Sequence, residues 1–391
     1  MQFNHGLAVS SDGKTIYASA PDSVWSWSYD SSTRTSSNQQ TIITNMETND
    51  HTTRTLLLSR SVPGMLLVSR GSTSNIDIDA ASLASGHSQI RAFNLNNRST
   101  TAYDFDTTGL RLGWGLRNSV GVAEHPITGG IYSVENSADQ IIRDGVDIHQ
   151  NNPGEEMNFH GYLNGTDYAP QGGNYGYPWC FAAWDVDELP DHANLSVGSQ
   201  FALSESNYPD NENRTDTYCA AQNAPRLTFQ AHMAPLDIKF NNSGTQGWVT
   251  WHGSWDRTDP VGYKVSVIEF ANGEPVAPTT SKTALTDIFT NADLSVCPNN
   301  CFRPVGMAFD GQGRLFVSSD ATGEIYMITS EKVPLVTSSS SGAASSATAT
   351  STSTGSQASS TSNGRSLVAD IVKSLQVSAI IACLAAAFVM A

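Results

Sequence analysis

The sequence predicts an all-β protein of the β-propeller type. The first reason is a recurring form: a polar residue, an apolar strand, a glycine-containing turn, a second apolar strand, and a polar residue. Five segments have it: HGLAVSSDGKTIYASA, HTTRTLLLSRSVPGMLLVSRGS, RNSVGVAEHPITGGIYSVENS, HMAPLDIKFNNSGTQGWVTWHGS and RPVGMAFDGQGRLFVSSDA. The second is that a further strand follows most copies: DSVWSWSY, SQIRAFNL, QIIRDG, YKVSVIEF and GEIYMI. The third is composition. Charged residues make up only 15% of the chain, and Gly, Ser, Thr and Asn are abundant, which suits a turn-rich β protein. Meanders repeated around an axis make a propeller. A β-sandwich is the alternative, and it does not account for the regular return of one hairpin.

Each hairpin has local chemistry to match. The strands alternate or run apolar with β-branched and aromatic residues, and Asp12-Gly13, Gly129-Gly130 and Asp310-Gly311 mark tight turns. Residues 146 to 231 interrupt the repeat with a Gly/Asn/Pro-rich stretch. Cys180 and Cys219 bracket part of it, and CPNNC closes a second short loop. No Cys/His set has zinc spacing, so two disulfides, Cys180–Cys219 and Cys297–Cys301, are expected over a metal site.

The propeller is expected over residues 1–332. A Ser/Thr-rich linker covers 333–365, and a hydrophobic C-terminal anchor signal covers 366–391. The linker composition cannot form a core and reads as a disordered, glycosylated stalk. Small residues (Ser362, Asn363, Gly364), a polar spacer and the apolar tail LQVSAIIACLAAAFVMA follow the pattern of a glycolipid-anchor signal. A tail-anchored helix is the alternative. Sequons at Asn97, Asn164, Asn194, Asn213 and Asn241, with paired cysteines, favour an extracellular, cell-surface protein. The chain starts MQFNHGLAVSSDG with no signal peptide. The net charge of −16 argues against a nucleic-acid partner.

Blade geometry predicts a site. Residues just before the first strand and just after the second share one face in every blade. Before the first strands stand His5, His51, Arg117 with Asn118, His232 and Arg303. After the second strands stand Arg70, Glu135 with Asn136, His252 and Asp320. Any one of them alone reads as a solvated turn residue. A crown of mostly cationic, hydrogen-bonding groups around a depression reads as a site for an anionic, planar ligand. In the interrupting segment, adjacent Glu155 and Glu156 offer hard oxygen ligands of the kind calcium takes, although an acidic pair in a loop is usually only solvated.

Several stretches, in order and spacing, resemble the PQQ-dependent sugar dehydrogenases of the soluble quinoprotein glucose/sorbosone dehydrogenase superfamily, and most closely the fungal pyranose dehydrogenases. They are HTTRTLLL, LGWGLRNSVGVAEHP, NNPGEEMNFHG, GGNYGYPWC, HMAPLDIKFN, HGSWDR with GYKV, and RPVGMAFDGQGRLFVSSD. The resemblance runs from about His5 to Ile328. It implies a six-bladed propeller holding PQQ and Ca2+ at its axis, so that five hairpins leave a first blade missing before His5. It implies that His51 is the general base for the sugar hydroxyl. Arg117 would stabilise charge arriving on the quinone, Asn118 would hydrogen-bond it, and Arg303 would hold a PQQ carboxylate. His252 falls where a family member uses lysine. The carbonyls of Gln150 and Asn151 align with calcium ligands, supported by Glu155 or Glu156. Arg54, Arg70 and His232 are further candidates for the cofactor, and Trp114, Trp179 and Trp255 for stacking on a sugar, with a buried core position the plainer reading of each tryptophan.

The expected function is therefore oxidation of a pyranose or related sugar, with electrons passed to an external acceptor such as a cytochrome. No haem-attachment or iron–sulfur spacing is present. A Ca2+-dependent lactonase on the same fold is one alternative. A non-catalytic propeller that binds glycans or a protein partner is the other.

Overall fold

The computed structural model describes residues 3–203 and 214–330. The linker, the anchor signal and the Asn213 sequon lie outside the described residues. Five antiparallel meanders follow one another along the chain. The first is Leu7–Val9, Thr15–Ser19, Val24–Asp30 and Thr35–Thr44, with Tyr103–Asp104 added in parallel at its edge. The second is Leu56–Leu58, Met65–Arg70, Gln89–Asn94 and Leu110–Trp114. The third is Ser119–Glu124, Gly130–Glu135, Glu155–Tyr162 and Leu227–Phe229. The fourth is Pro235–Phe240, Gln246–Trp251, Lys264–Ala271 and Thr286–Thr290. The fifth is Pro304–Phe309, Leu315–Ser319 and Ile325–Ile328. The first strands of successive sheets pack side by side, which is a propeller-like arrangement of five blades. The sixth blade implied by the resemblance is not among the described residues.

Apolar residues of adjacent sheets lock the blades face to face. Val24 and Ile43 pack with Leu66 and Phe93 between the first and second sheets, and Leu67 and Ile90 with Val122 and Ile131 between the second and third. Tyr132 and Val134 meet Ile238 and Val249 between the third and fourth. Val265 meets Val317 between the fourth and fifth. Among the described residues no such buried cluster joins the fifth sheet to the first.

The third sheet corrects one expectation. Its third strand is not in QIIRDG, where Ile142–Arg143 instead pairs with Val146–Asp147 in a small separate ribbon. The strand that pairs with Gly130–Glu135 is Glu155–Tyr162. Glu155 and Glu156 therefore lie in a buried strand and not in a flexible loop. Adjacent strand residues point to opposite faces. Glu155 lines the axial cavity, while Glu156 is held inside the blade by the Asn158 amide, 3.0 Å away.

Both expected disulfides form, Cys180–Cys219 and Cys297–Cys301. The first ties the excursion of residues 172–222 to itself. Tyr177, Phe181, Leu189 and Phe201 of that excursion pack with Ala80, Ala138, Ile141 and Ile148 in one apolar cluster.

Arg54 is part of the scaffold. Its side chain is fully buried, and its guanidinium donates to the carbonyls of Pro21, Met46, His51 and Thr53 and to the Thr48 hydroxyl. It closes the loop that delivers His51 to the axis. Replacing it with methionine strips donors from several buried carbonyls at once. Arg54→Met is expected to cost about 3 kcal/mol or more, read from the urea midpoint. An unchanged midpoint would show that the carbonyls find other donors.

Candidate active site

One cavity of about 490 Å3 opens where the inner strands converge. It brings together His5, His51, Arg117, Asn118, His232, His252 and Arg303, which come from different rims of the sequence. The rim geometry explains the convergence. Hydrogen bonds continue each hairpin one step beyond its strands: His252 N donates to Ala234 O at 2.9 Å, and Asn136 N to Asn118 O at 3.1 Å. In the second sheet Gly71 and Ser72 continue the strand Met65–Arg70. Ser72 N donates to Arg117 O at 2.9 Å, and His51 N donates to Ser72 O at 3.2 Å. His51 and Arg117 are thus stitched together through the main chain of Ser72. Gly71 is required there, because a Cβ would lie 2.6 Å from His51 Cβ and 2.7 Å from Asn118 Oδ1.

His51 is nearly buried, and burial, then the nearby Arg117 charge, lowers its pKa to about 3. The ring is neutral across the working range. Nδ1 meets Ser72 Oγ at 2.8 Å, and Nε2 makes no hydrogen bond among the described residues. The Asn118 side-chain amide is likewise uncommitted and faces the cavity.

Arg117 is clamped from several sides. Its Nε donates to Asn75 O at 3.0 Å, and Nη2 donates to Asn75 Oδ1 at 2.8 Å and Asp139 Oδ2 at 3.1 Å. Arg303 donates through Nε to His252 O at 3.2 Å and through Nη2 to His252 Nδ1 at 3.0 Å. Its Nη1 has no partner among the described residues. Because Arg303 donates to Nδ1, the proton of His252 sits on Nε2, where it reaches both oxygens of Asp320 at 3.0 Å. His252 is therefore a neutral link between Arg303 and Asp320 with both nitrogens engaged. Burial, then the charge of Arg303, lowers its pKa against the pull of Asp320.

His232 occupies the left-handed region, with φ of 65°, a strained conformation for a histidine. Its Nε2–H donates to His149 O, and its Nδ1 lies 3.5 Å from Asp139 Oδ1 and 3.5 Å from Asp256 Oδ2. Burial opposes its charge, but the hydrogen bond to Asp139 and the charge of Asp256 win, and its pKa is raised. The Asp256 side chain is only 2% exposed, and neither of its oxygens has a hydrogen bond among the described residues. Burial raises its pKa. Asp139, His232 and Asp256 present ligand atoms within 4.8 Å of one another.

The cavity therefore differs from the mostly cationic crown expected. Asp50, Asp139, Asp256 and Asp320 line it beside the arginines and histidines. Arg54 and Arg70 do not reach it. Arg54 is spent on the carbonyls beneath His51. Arg70 pairs with Asp106 at 2.5 Å and donates to Glu47 O at 2.9 Å, facing outward from the axis. Gln150 and Asn151 are also absent from the lining. The Gln150 side chain accepts from Thr258 N, and that of Asn151 joins Glu188 and Arg257. Glu155 does line the cavity, but Ala234 N and Ser137 N occupy its two oxygens at 2.9 and 2.8 Å, and burial lifts its pKa to about 7. Glu156 is enclosed, and its pKa is raised by burial, so it faces no ligand.

Of the three tryptophans, Trp179 is core and Trp114 lies in a strand, whereas Trp255 is 61% exposed at the cavity mouth. Sequence reasoning missed Ser72, Asn75, Asp139 and Asp256. Asp139 and Asp256 stand four or five residues beyond a second strand, in excursions that follow no repeat. Only the adjoining polar residues, Asn136 and His252, pointed toward them.

Comparison with known proteins agrees with this geometry. The family model described as TrAA12-like matches residues 1–331. A pyrroloquinoline quinone-dependent sugar dehydrogenase of Hypocrea jecorina (strain QM6a) is 51% identical over 329 residues, or 83% of this chain and 74% of that protein. A pyrroloquinoline quinone-dependent pyranose dehydrogenase of Coprinopsis cinerea is 38% identical over 353 residues, 86% of this chain and 47% of that protein. The chain thus spans about half the length of the second relative. The solved holo form of the pyranose dehydrogenase PQQ domain from Coprinopsis cinerea matches with a TM-score of 0.76 at 37% identity, over 83% of this chain and 81% of that one. A propeller-like arrangement of five meanders, an axial cavity floored by histidines and arginines, and a match over nearly all the described residues lead to one conclusion: the chain belongs to the TrAA12-like family.

Proposed function

We propose that this protein is a PQQ- and Ca2+-dependent dehydrogenase that oxidises a pyranose or related sugar at a ring hydroxyl and passes the electrons to an external acceptor. The observation that carries this reading is the pairing of two uncommitted groups in one cavity: His51 Nε2, a free proton acceptor, and Arg303 Nη1, a free cationic donor. Membership of a family whose relatives are named sugar dehydrogenases supports it.

The residues fit both groups. A cavity of about 490 Å3 has the size of a cofactor site. Arg303 offers a planar donor for a carboxylate, and the Asn118 amide can donate or accept. For the cation, the orphaned carboxylate of Asp256 with Asp139 beside it supplies hard oxygen ligands. Backbone carbonyls of Gln150 and Asn151, which the resemblance implies, are the alternative ligands. His232 Nδ1 lies 3.5 Å from each of the two carboxylates, which raise its pKa. When bound, the quinone supplies a hydride acceptor and the cation supplies Lewis acidity. The protein's part is to orient and to move one proton. Trp255 presents an apolar face on which a sugar ring can stack. His51 Nε2 takes the hydroxyl proton as the C–H bond breaks. Arg117, immobilised by Asn75 and Asp139, holds positive charge at a fixed point, so no reorganisation is spent during reaction.

The two disulfides suit an oxidising compartment, and the proposal places the protein outside the cell. Lipid anchorage and a cytochrome as acceptor belong to the same proposal. The acidic lining also meets the need of a lactonase for carboxylates, so the assay must separate the two activities. Protein loaded with PQQ and Ca2+ is expected to reduce a dye in the presence of one or more sugars. Lactone hydrolysis without PQQ, and no sugar-dependent reduction, would overturn the reading. Within it, Arg303→Ala is expected to weaken PQQ binding at least 10-fold while changing the chemical step less. Titration with cofactor followed by single-turnover reduction checks this, and equal loss in both would refute a purely binding role.

A further inference from the structure

We propose that Ser72 is a positioning residue that fixes the ring proton of His51 on Nδ1 and so keeps Nε2 bare toward the substrate. The proposal rests on the reading of His51 as the base. It follows from counting protons. His51 Nδ1 lies 2.8 Å from Ser72 Oγ, which could in principle donate or accept. Ser72 Oγ also lies 2.7 Å from Ser74 O. A carbonyl oxygen can only accept, so two oxygens at that distance need the serine's one proton between them. Ser72 Oγ is then an acceptor toward His51, and the shared hydrogen belongs to Nδ1. The other nitrogen keeps its lone pair. Its nearest ionic neighbour is Asp50 Oδ2 at 4.0 Å, beyond hydrogen-bond reach.

Ser72 is built to hold this geometry. It is fully buried, and its main chain is clamped on both sides, donating to Arg117 O and accepting from His51 N. The acceptor of its proton is fixed as well. Tyr177 OH approaches Ser74 O at 3.3 Å and donates to Asn75 O at 3.0 Å, pinning the turn. Without the hydroxyl, the imidazole divides between two tautomers, and the one with a proton on Nε2 cannot accept a proton from substrate. Ser72 does not line the cavity, so its effect on turnover is expected to pass through His51.

The test uses the full chain and the variants Ser72→Ala and Ser72→Thr. Long-range 15N NMR of the cofactor-free protein, with His51 assigned by its loss in His51→Gln, reads the tautomer directly. Wild type and Ser72→Thr are expected to carry the proton on Nδ1, and Ser72→Ala is expected to show a mixture or the Nε2–H form. Loaded with PQQ and Ca2+, Ser72→Ala is expected to lose kcat about 10-fold or more with the sugar KM within about 2-fold, and Ser72→Thr is expected to restore it. An Nε2–H tautomer in wild type overturns the proposal, and that measurement stands even if Ser72→Ala fails to fold. So does a Ser72→Ala protein that keeps both the Nδ1–H tautomer and full kcat. A shifted tautomer with full turnover, together with an active His51→Ala enzyme, refutes His51 as the base and leaves the proton assignment intact.

Discussion

His51→Ala is expected to lower kcat about 1,000-fold while PQQ and Ca2+ still bind with near-native affinity. The alanine removes a neutral ring nitrogen, Nε2, that faces the cavity and makes no hydrogen bond among the described residues. His252 cannot replace it, because Arg303 and Asp320 take both of its nitrogens. His232 cannot either, because its Nδ1 faces two carboxylates and its Nε2–H is given to His149 O. The groups expected to hold the cofactor and the cation, Arg303, Asn118, Asp139 and Asp256, remain. Stopped-flow reduction of the loaded enzyme measures the chemical step, and cofactor titration measures binding. Turnover within 10-fold of wild type would rule out His51 as the base. The pH profile follows with a definite sign. Protonated His51 cannot accept, so activity falls as pH drops through its pKa. That pKa is about 3 in the cofactor-free protein, and an anionic cofactor nearby raises it. The acid limb of the rate profile should therefore lie above 3 and report the size of that rise.

Asp256→Asn is expected to cut calcium affinity about 100-fold and to make the cation-free protein more stable, not less. Both signs come from one fact. The carboxylate is buried at 2% exposure and hydrogen-bonded to nothing among the described residues, with His232 Nδ1 3.5 Å away as its nearest charged neighbour. A buried carboxylate so poorly satisfied opposes folding, and an amide of the same shape removes the charge. The same charge is what a divalent cation would bind. Calcium titration by calorimetry, with urea denaturation in chelator, measures the two effects; the expected gain is about 1 kcal/mol. Unchanged calcium affinity would move the cation elsewhere, and a less stable variant would show that the carboxylate has a partner in solution.

The blades could be read from sequence because each hairpin writes itself twice, in strand alternation and in turn residues. The rim was legible because repetition fixes where a strand begins. His51, Arg117, His232, His252 and Arg303 needed no more than that. Direction was not legible. Arg54 stands three residues after His51 and Arg70 ends a second strand, yet both guanidiniums turn to carbonyls and carboxylates away from the axis. Glu155 and Glu156 follow Asn-Asn-Pro-Gly, which reads as loop, and the third strand of their sheet is displaced by the ribbon at 142–147. Asp139 and Asp256 were invisible for a different reason: each lies in an excursion found once, so nothing else in the chain marks its place.

Tyr177 ties the excursion of residues 172–222 to the rim of the cavity. Its hydroxyl accepts from Asp77 N at 2.6 Å and donates to Asn75 O, and the Asn75 side chain in turn grips Arg117 and Asp139 N. The lobe fastened by Cys180–Cys219 thus acts as a buttress behind Arg117. A substitution in that lobe that moves this one phenol would move the guanidinium as well.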